Sequence, residues 1–115
     1  MADRALYRQI IDELVRQTRE GQGAVAASRA RSGVWNAAAT VQSAPDQHNF
    51  NVLLSRLTPH DRAIFAEMLA HEFVRGVHTA LNTLHAAQLQ PFETSYQESP
   101  AHDYMGRLSG GFRWP

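Results

Sequence analysis

The chain has 115 residues, of which 43% are hydrophobic and 19% are charged, a balance that is typical of one globular domain and not of a disordered chain. Eleven basic residues cancel eleven acidic ones, so the molecule lacks the positive field that drives sequence-independent binding to nucleic acids. Lysine and cysteine do not occur, which excludes lysine nucleophiles, Schiff-base chemistry, disulfides and thiolate metal ligands.

Apolar residues at helical spacing near the N-terminus predict a first amphipathic helix over about residues 4–20. Asp3 precedes this helix and has the type of side chain that caps a helix N-terminus. A helix with one apolar stripe needs another element to cover that stripe, so we expect the helix to pack against the rest of the domain. The stripe consists of Tyr7, Ile10, Ile11, Leu14 and Val15.

The next segment, residues 21–45, is rich in Ala, Gly and Ser and has the weakest pattern in the chain. Residues 24–31 are compatible with a helical continuation, but Gly21, Gly23 and Gly33 interrupt the pattern. Trp35 is the only aromatic residue of this segment. Because tryptophan is rarely left fully exposed, we expect Trp35 to fix the connection onto the core.

Two helices are predicted in the middle of the chain. Residues 46–57 place apolar side chains on one face and predict a short helix. Thr58 as N-cap and Pro59 as first helical residue then start a long helix that runs to about residue 88. The apolar residues of the short helix are Phe50, Leu53, Leu54 and Leu57, and the broad apolar face of the long helix contains Phe65, Leu69, Phe73, Val77, Leu81 and Leu84.

The C-terminal third begins with a connector between Pro91 and Pro100, for which the sequence predicts an extended piece at about residues 92–96. Ser99 and Pro100 then start a short last helix that ends at the pair of glycines at positions 110 and 111. The predicted fold is all-α: a small helical bundle of three longer helices plus a short C-terminal helix, in a single domain of residues 1–115.

Three histidines at seven-residue steps, His71, His78 and His85, lie along one line of the long helix. Successive members are about 10.5 Å apart along the helix axis, too far to share one ion unless their rings lean strongly together. A metal site would need His71 and His78 to meet His102 and Asp103 of the last helix. That arrangement would bind a divalent metal and support a metal-dependent hydrolase. Otherwise the line is a solvated helix edge, and no other cofactor is expected.

A DNA-binding interpretation rests on the stretch LTPHDRAIFAEMLA, residues 57–70, which is similar to the opening of the helix-turn-helix of bacterial response regulators. That motif requires a turn and then a second helix that enters the major groove. Here the helical pattern continues without turn residues before Gly76. A DNA-binding regulator is therefore the third functional interpretation, and nucleic acid is not an expected partner.

Three pieces of the second half resemble a family of small bacterial proteins known only as a domain of unknown function. The pieces are NVLLSRLTPHDRAIFAEML, RGVHTALNTL and SPAHDYMGRLSGGFRWP, and their order matches over residues 50–115. The resemblance implies a bacterial, cytoplasmic, helical domain and no particular activity. It rests on Asn51, Leu53, Leu54, Leu57, Gly76, Val77, His78, His102, Asp103, Gly106, Arg107, Trp114 and Pro115.

Two features favour protein contacts over catalysis. Gly76 lies inside the long helix, where glycine is unfavourable, so we expect another helix to approach the backbone there. The C-terminal tail is too apolar to be free and should dock on the body or on a second subunit. We therefore expect a non-enzymatic protein-interaction domain, homodimeric or bound to another protein. Its predicted contact surface is Gly76, Tyr104, Arg107, Phe112 and Trp114.

The sequence also bears on location. The N-terminus is charged from its third residue, unlike a secretory signal, and no run of about 18 apolar residues is present to span a bilayer. These observations predict a cytoplasmic protein without a membrane partner.

Overall fold

The computed structural model describes residues 3–115, and this range contains five α-helices and no β-strand. The all-α class is therefore confirmed. The helices are α1 Arg4–Arg19, α2 Gln22–Ser32, α3 Pro45–Arg56, α4 Pro59–Ala86 and α5 Pro100–Ser109.

The segment after α1 forms a separate helix, α2. The predicted bundle of three longer helices and one short helix did not include this fifth helix. Gly21 occupies the N-cap position of α2 and Gly33 its C-cap position, with a left-handed φ of 82°. Gly21 and Gly33 are thus the ends of a separate helix, since glycine adopts the left-handed conformation at Gly33 without strain, whereas Gly23 lies in the first turn of that helix. Between them the alanine-rich sequence favours the helix.

The predicted helix starts are confirmed by side-chain caps. Asp3 accepts a hydrogen bond from the backbone N–H of Leu6 at 3.0 Å, and Thr58 accepts one from Asp61 at 3.1 Å. Ser99 caps α5 in the same way, through the N–H of His102 at 3.2 Å. Each bond satisfies a donor that has no partner within its helix.

The connector between Pro91 and Pro100 consists of turns and bends, so the extended piece expected there is absent from the structure. The physical reason is local. The backbone N–H groups of Tyr96 and Gln97 donate to the carboxylate of Asp103, 2.9 Å away in each case. The connector therefore wraps around the start of α5.

Two separate apolar clusters form the core, and α4 contributes to both. The first cluster joins α1, the C-terminal half of α4 and α5, and its buried members are Tyr7, Ile11, Val15, Leu81, Ala101 and Tyr104. The second joins α2, α3 and the N-terminal half of α4 through Ala27, Ala30, Leu54 and Ala66. Trp35 packs against the second cluster and lies edge-to-face with Phe50, which confirms that it fixes the connection onto the core.

The molecule is elongated and thin, with principal dimensions of 52 × 29 × 19 Å. Its radius of gyration is 17.6 Å, whereas a compact domain of this length has one of about 13 Å. The accessible surface is 7350 Å², against about 6,300 Å² for a folded monomer of this mass. The chain thus leaves about 1,000 Å² more surface exposed than a compact monomer would.

The broad apolar face predicted for α4 exists but is only partly covered. Leu81 is its one fully buried member, while Phe65, Leu69, Phe73, Val77 and Leu84 are half-buried. Within residues 3–115 no helix has both the length and the apolarity needed to cross a bilayer.

Candidate interaction surface

The four residues predicted as metal ligands are not brought together. The last helix does pack against α4, as a shared site requires. However, no group of three or more His, Asp or Glu side chains in the described part of the chain is placed to hold an ion. His71 is exposed on α4, and His78 faces Asn82 on its own helix. His102 contacts Ser99 and Glu98, beside its own helix start, while Asp103 is completely buried.

Asp103 is unsuited to metal binding because three donors already occupy its carboxylate. The hydroxyl of Tyr7 donates to Oδ2 at 2.5 Å, and the backbone N–H groups of Tyr96 and Gln97 donate to Oδ2 and Oδ1. These bonds join α1, the connector and α5 at one buried point. Burial raises the pKa of Tyr7, and the hydrogen bond to the Asp103 carboxylate raises it further. Sequence reasoning missed this network because its two side chains are 96 positions apart.

Tyr104 also belongs to the interior and not to a contact surface. Its side chain is 0% exposed, and its hydroxyl lies 2.6 Å from Oγ1 of Thr18 on α1. Burial raises the pKa of Tyr104, and the hydrogen bond with Thr18 opposes part of that rise. The folded monomer therefore offers no Tyr104 surface to a partner.

The two buried tyrosines predict an alkaline limit to stability. Both have a folded-state pKa above the ordinary value of 10.0, so their contribution is complete below pH 10 and is lost as the pH rises further, when the unfolded chain ionises first. We expect the midpoint of urea unfolding, followed by circular dichroism, to be constant between pH 8 and about pH 9.5 and to fall above pH 10. Tyr7→Phe should show a smaller fall, and an equal fall in both proteins would contradict the assignment.

The C-terminal tail docks on the body of its own chain. Trp114 donates from Nε1 to Oδ2 of Asp12 at 2.8 Å, and Arg107 donates from Nε to Oδ1 of the same carboxylate at 2.8 Å. The guanidinium of Arg107 also lies 5.2 Å from the centre of the Trp114 ring. We call Asp12, Arg107 and Trp114 the C-terminal latch. The predicted docking is thus confirmed, and it occurs within the monomer.

Aromatic packing reinforces the C-terminal latch. The Trp114 ring centre lies 4.9 Å from that of Tyr96 and 5.3 Å from that of Phe112. A Cβ atom at Gly106 would lie 2.8 Å from Cβ of Phe112, so glycine is needed there to let the tail approach. Trp114 and Phe112 are consequently half-buried against their own chain.

The surroundings of Gly76 are open in residues 3–115, so the helix expected to approach its backbone is not one of this chain's described helices. Apart from the neighbouring backbone of α4 itself, no atom of residues 3–115 lies within 4 Å of a Cβ atom built at Gly76. By contrast, a Cβ atom at Gly23 would lie 2.8 Å from the Phe73 ring, where α2 packs against α4. Glycine at position 76 therefore satisfies no packing requirement of the monomer.

An apolar groove of about 470 Å³ runs past Gly76 between α1 and α4. We call it the α1–α4 groove. Among residues 3–115, Glu72 is the only charged residue that lines it. The lining residues in this range are Ile10, Leu14, Glu72, Phe73, Gly76, Val77, Ala80, Leu81, Leu84 and Phe92.

A second, smaller apolar surface lies at the other end of the molecule. Phe50 and Leu53 of α3 are 44% and 47% exposed beside a pocket of about 200 Å³. Ile64 and Met68 on the N-terminal half of α4 are also exposed. The helix α3, which carries part of this surface, makes few contacts with the other helices.

Comparison with known proteins identifies a family. A family of unknown function (DUF6547) matches residues 1–115. The chain belongs to the DUF6547 family. No curated protein and no solved structure is significantly similar to it. The resemblance seen over residues 50–115 thus extends to α1 and α2.

In this DUF6547 protein, several residues that carry the family resemblance hold the tail and the core together. Asp103 anchors the connector, while Arg107 and Trp114 belong to the C-terminal latch. Gly106 makes room for the tail. Gly76 differs, because no contact among the described residues requires glycine there.

Proposed function

We propose that this DUF6547 protein is a non-enzymatic protein-interaction domain that acts as a homodimer. The observation that carries the proposal is the surplus surface of about 1,000 Å² relative to a compact monomer. A standard interface buries about 800 Å² per partner, so one further contact would bring the chain to an ordinary degree of burial. The half-buried apolar face of α4 supplies the kind of surface that such a contact covers.

The charge balance supports self-association. The formal net charge is zero, so two copies approach without net repulsion. The competing interpretations lose support. A hydrolase would need Asp103 free to bind a metal, and a DNA-binding regulator would need a turn where α4 is one continuous helix from Pro59 to Ala86. Bacterial origin and cytoplasmic location stay predictions.

Sedimentation velocity at several protein concentrations tests the proposal. We expect the weight-average mass to rise from that of the 12.9 kDa chain to twice this value as the concentration increases through the micromolar range. Raising the sodium chloride concentration should change the dimer dissociation constant little, because the surfaces that would form the contact are apolar. A mass of one chain at every concentration would overturn the homodimer.

A further inference from the structure

We infer that the α1–α4 groove receives a second copy of this chain, with the two α4 helices crossing at Gly76. The inference rests on the proposed function in one respect, namely that a homodimer forms. Beyond the proposed function, it specifies that the α1–α4 groove, and not the second apolar surface, forms the dimer contact, and that Gly76 lies at the centre of this contact.

Gly76 occupies an open position on α4. Glycine is among the least favourable residues in a helix interior, and its absence of a side chain benefits a helix only where another backbone comes close. Beyond the adjacent backbone of α4, the described part of the chain places nothing within 4 Å of a Cβ atom at this position. A helix of a second copy would use the space that the missing side chain leaves.

The shape and chemistry of the groove suit a helix. From Phe73 to Leu84 its α4 wall is about 17 Å long, which matches three turns of a helix. Val77 and Leu84 on this wall and Leu14 on the facing α1 wall are each only half-buried, so they retain apolar surface that an incoming helix would cover. With a single charged residue, the groove suits an apolar helix face and disfavours an acidic, basic or nucleic-acid ligand.

The groove also meets the symmetry requirement of a homodimer. A two-fold dimer buries the same patch of both copies, so its interface must be self-complementary. One wall of the groove is α4 itself. The α4 helix of each copy can therefore lie in the groove of the other copy, and the same face of α4 then contacts both α1 and α4 of that other copy. A crossing centred on Gly76 satisfies this condition, since each helix then presents its glycine to the other.

Two sets of variants test the inference. Gly76→Arg places a long charged side chain in the groove at a position with free space in the monomer, so the chain should keep its helical circular dichroism. We expect its dimer dissociation constant to rise by at least about thirtyfold, the change typical of losing a central contact. Ala63→Arg is the matched control, because Ala63 is exposed on α4 outside the groove and should leave the dissociation constant unchanged.

Cysteine crosslinking gives an independent readout, since the chain has no native cysteine. Oxidised Gly76→Cys should give a covalent dimer on a non-reducing gel, because residues close to a two-fold axis come within disulfide range. Ala63→Cys should stay monomeric on the same gel. If Gly76→Arg were to unfold, the crosslinking result would still show whether the two α4 helices cross at Gly76.

The outcomes separate the two proposals. Suppose that the wild type is a dimer, that Gly76→Arg is still a dimer, that Gly76→Cys gives no crosslink and that Leu53→Arg is a monomer. This result would overturn the α1–α4 groove as the dimer contact and would retain the homodimer. A wild-type chain that is monomeric at every concentration would overturn both.

Discussion

Replacing Asp103 by alanine is expected to lower the free energy of unfolding by at least about 3 kcal/mol, because three donors would lose their buried acceptor and each unsatisfied donor costs about 1–3 kcal/mol. Urea unfolding followed by circular dichroism, at one fixed protein concentration, measures this change. Asp103→Asn should cost less, since the amide oxygen still accepts from some of the donors.

Asp46 provides the matched control for this experiment. It is an exposed aspartate in the first turn of α3, where its main effect is on the helix dipole. Asp46→Ala should therefore change the unfolding free energy by about 1 kcal/mol or less. In a double-mutant cycle, Tyr7→Phe should cost less in the Asp103→Ala background than in the wild type, since the two side chains share a hydrogen bond. Equal costs in the two backgrounds would contradict the network.

The second large effect is expected from Asp12→Ala, which removes the acceptor shared by both other members of the C-terminal latch. Trp114 would lose its hydrogen bond and Arg107 its ion pair, so the tail should leave the body. In a Trp35→Phe background, where Trp114 is the only tryptophan, its emission should shift to longer wavelength and become easier to quench by acrylamide. The carboxylate is partly exposed, so the loss of stability should be modest, about 1–2 kcal/mol.

Glu13→Ala is the control for the latch, because Glu13 neighbours Asp12 on α1 but pairs with Arg16 in solvent. Its replacement should leave the Trp114 spectrum unchanged. Asp12→Ala should also retain the homodimer, because none of the three latch residues lines the α1–α4 groove. Unchanged Trp114 emission in Asp12→Ala would contradict the latch, and loss of the dimer on releasing the tail would place the tail at the interface.

Features set by neighbouring residues could be predicted from the sequence. The caps Asp3 and Thr58 and the helix start at Ser99 follow from local hydrogen bonding, and all three are confirmed. The separate helix α2 was harder to predict, because a glycine that ends a helix looks the same in sequence as one that interrupts it. Gly33 shows the difference only through its left-handed backbone.

Long-range placement could not be predicted in the same way. Periodicity correctly placed the three histidines along one helix line, but it held no information on which side of α5 faces α4. Asp103 therefore looked available as a metal ligand, although Tyr7 and two backbone N–H groups occupy it. The tail illustrates the converse: its composition predicted that it docks, but only the structure identifies Asp12 as the residue that holds it.

The bond between Tyr7 and Asp103 has a consequence for synthesis on the ribosome. Tyr7 packs against Phe92, Tyr96 and Trp114, all of which are translated long after α1. A nascent chain therefore carries α1 without these partners until the residues of α5 and the tail have left the exit tunnel, and the contact then closes a loop of 96 positions. Formation of the first cluster is thus a late event relative to the synthesis of α1, and before it occurs the apolar stripe of α1 is available to chaperones.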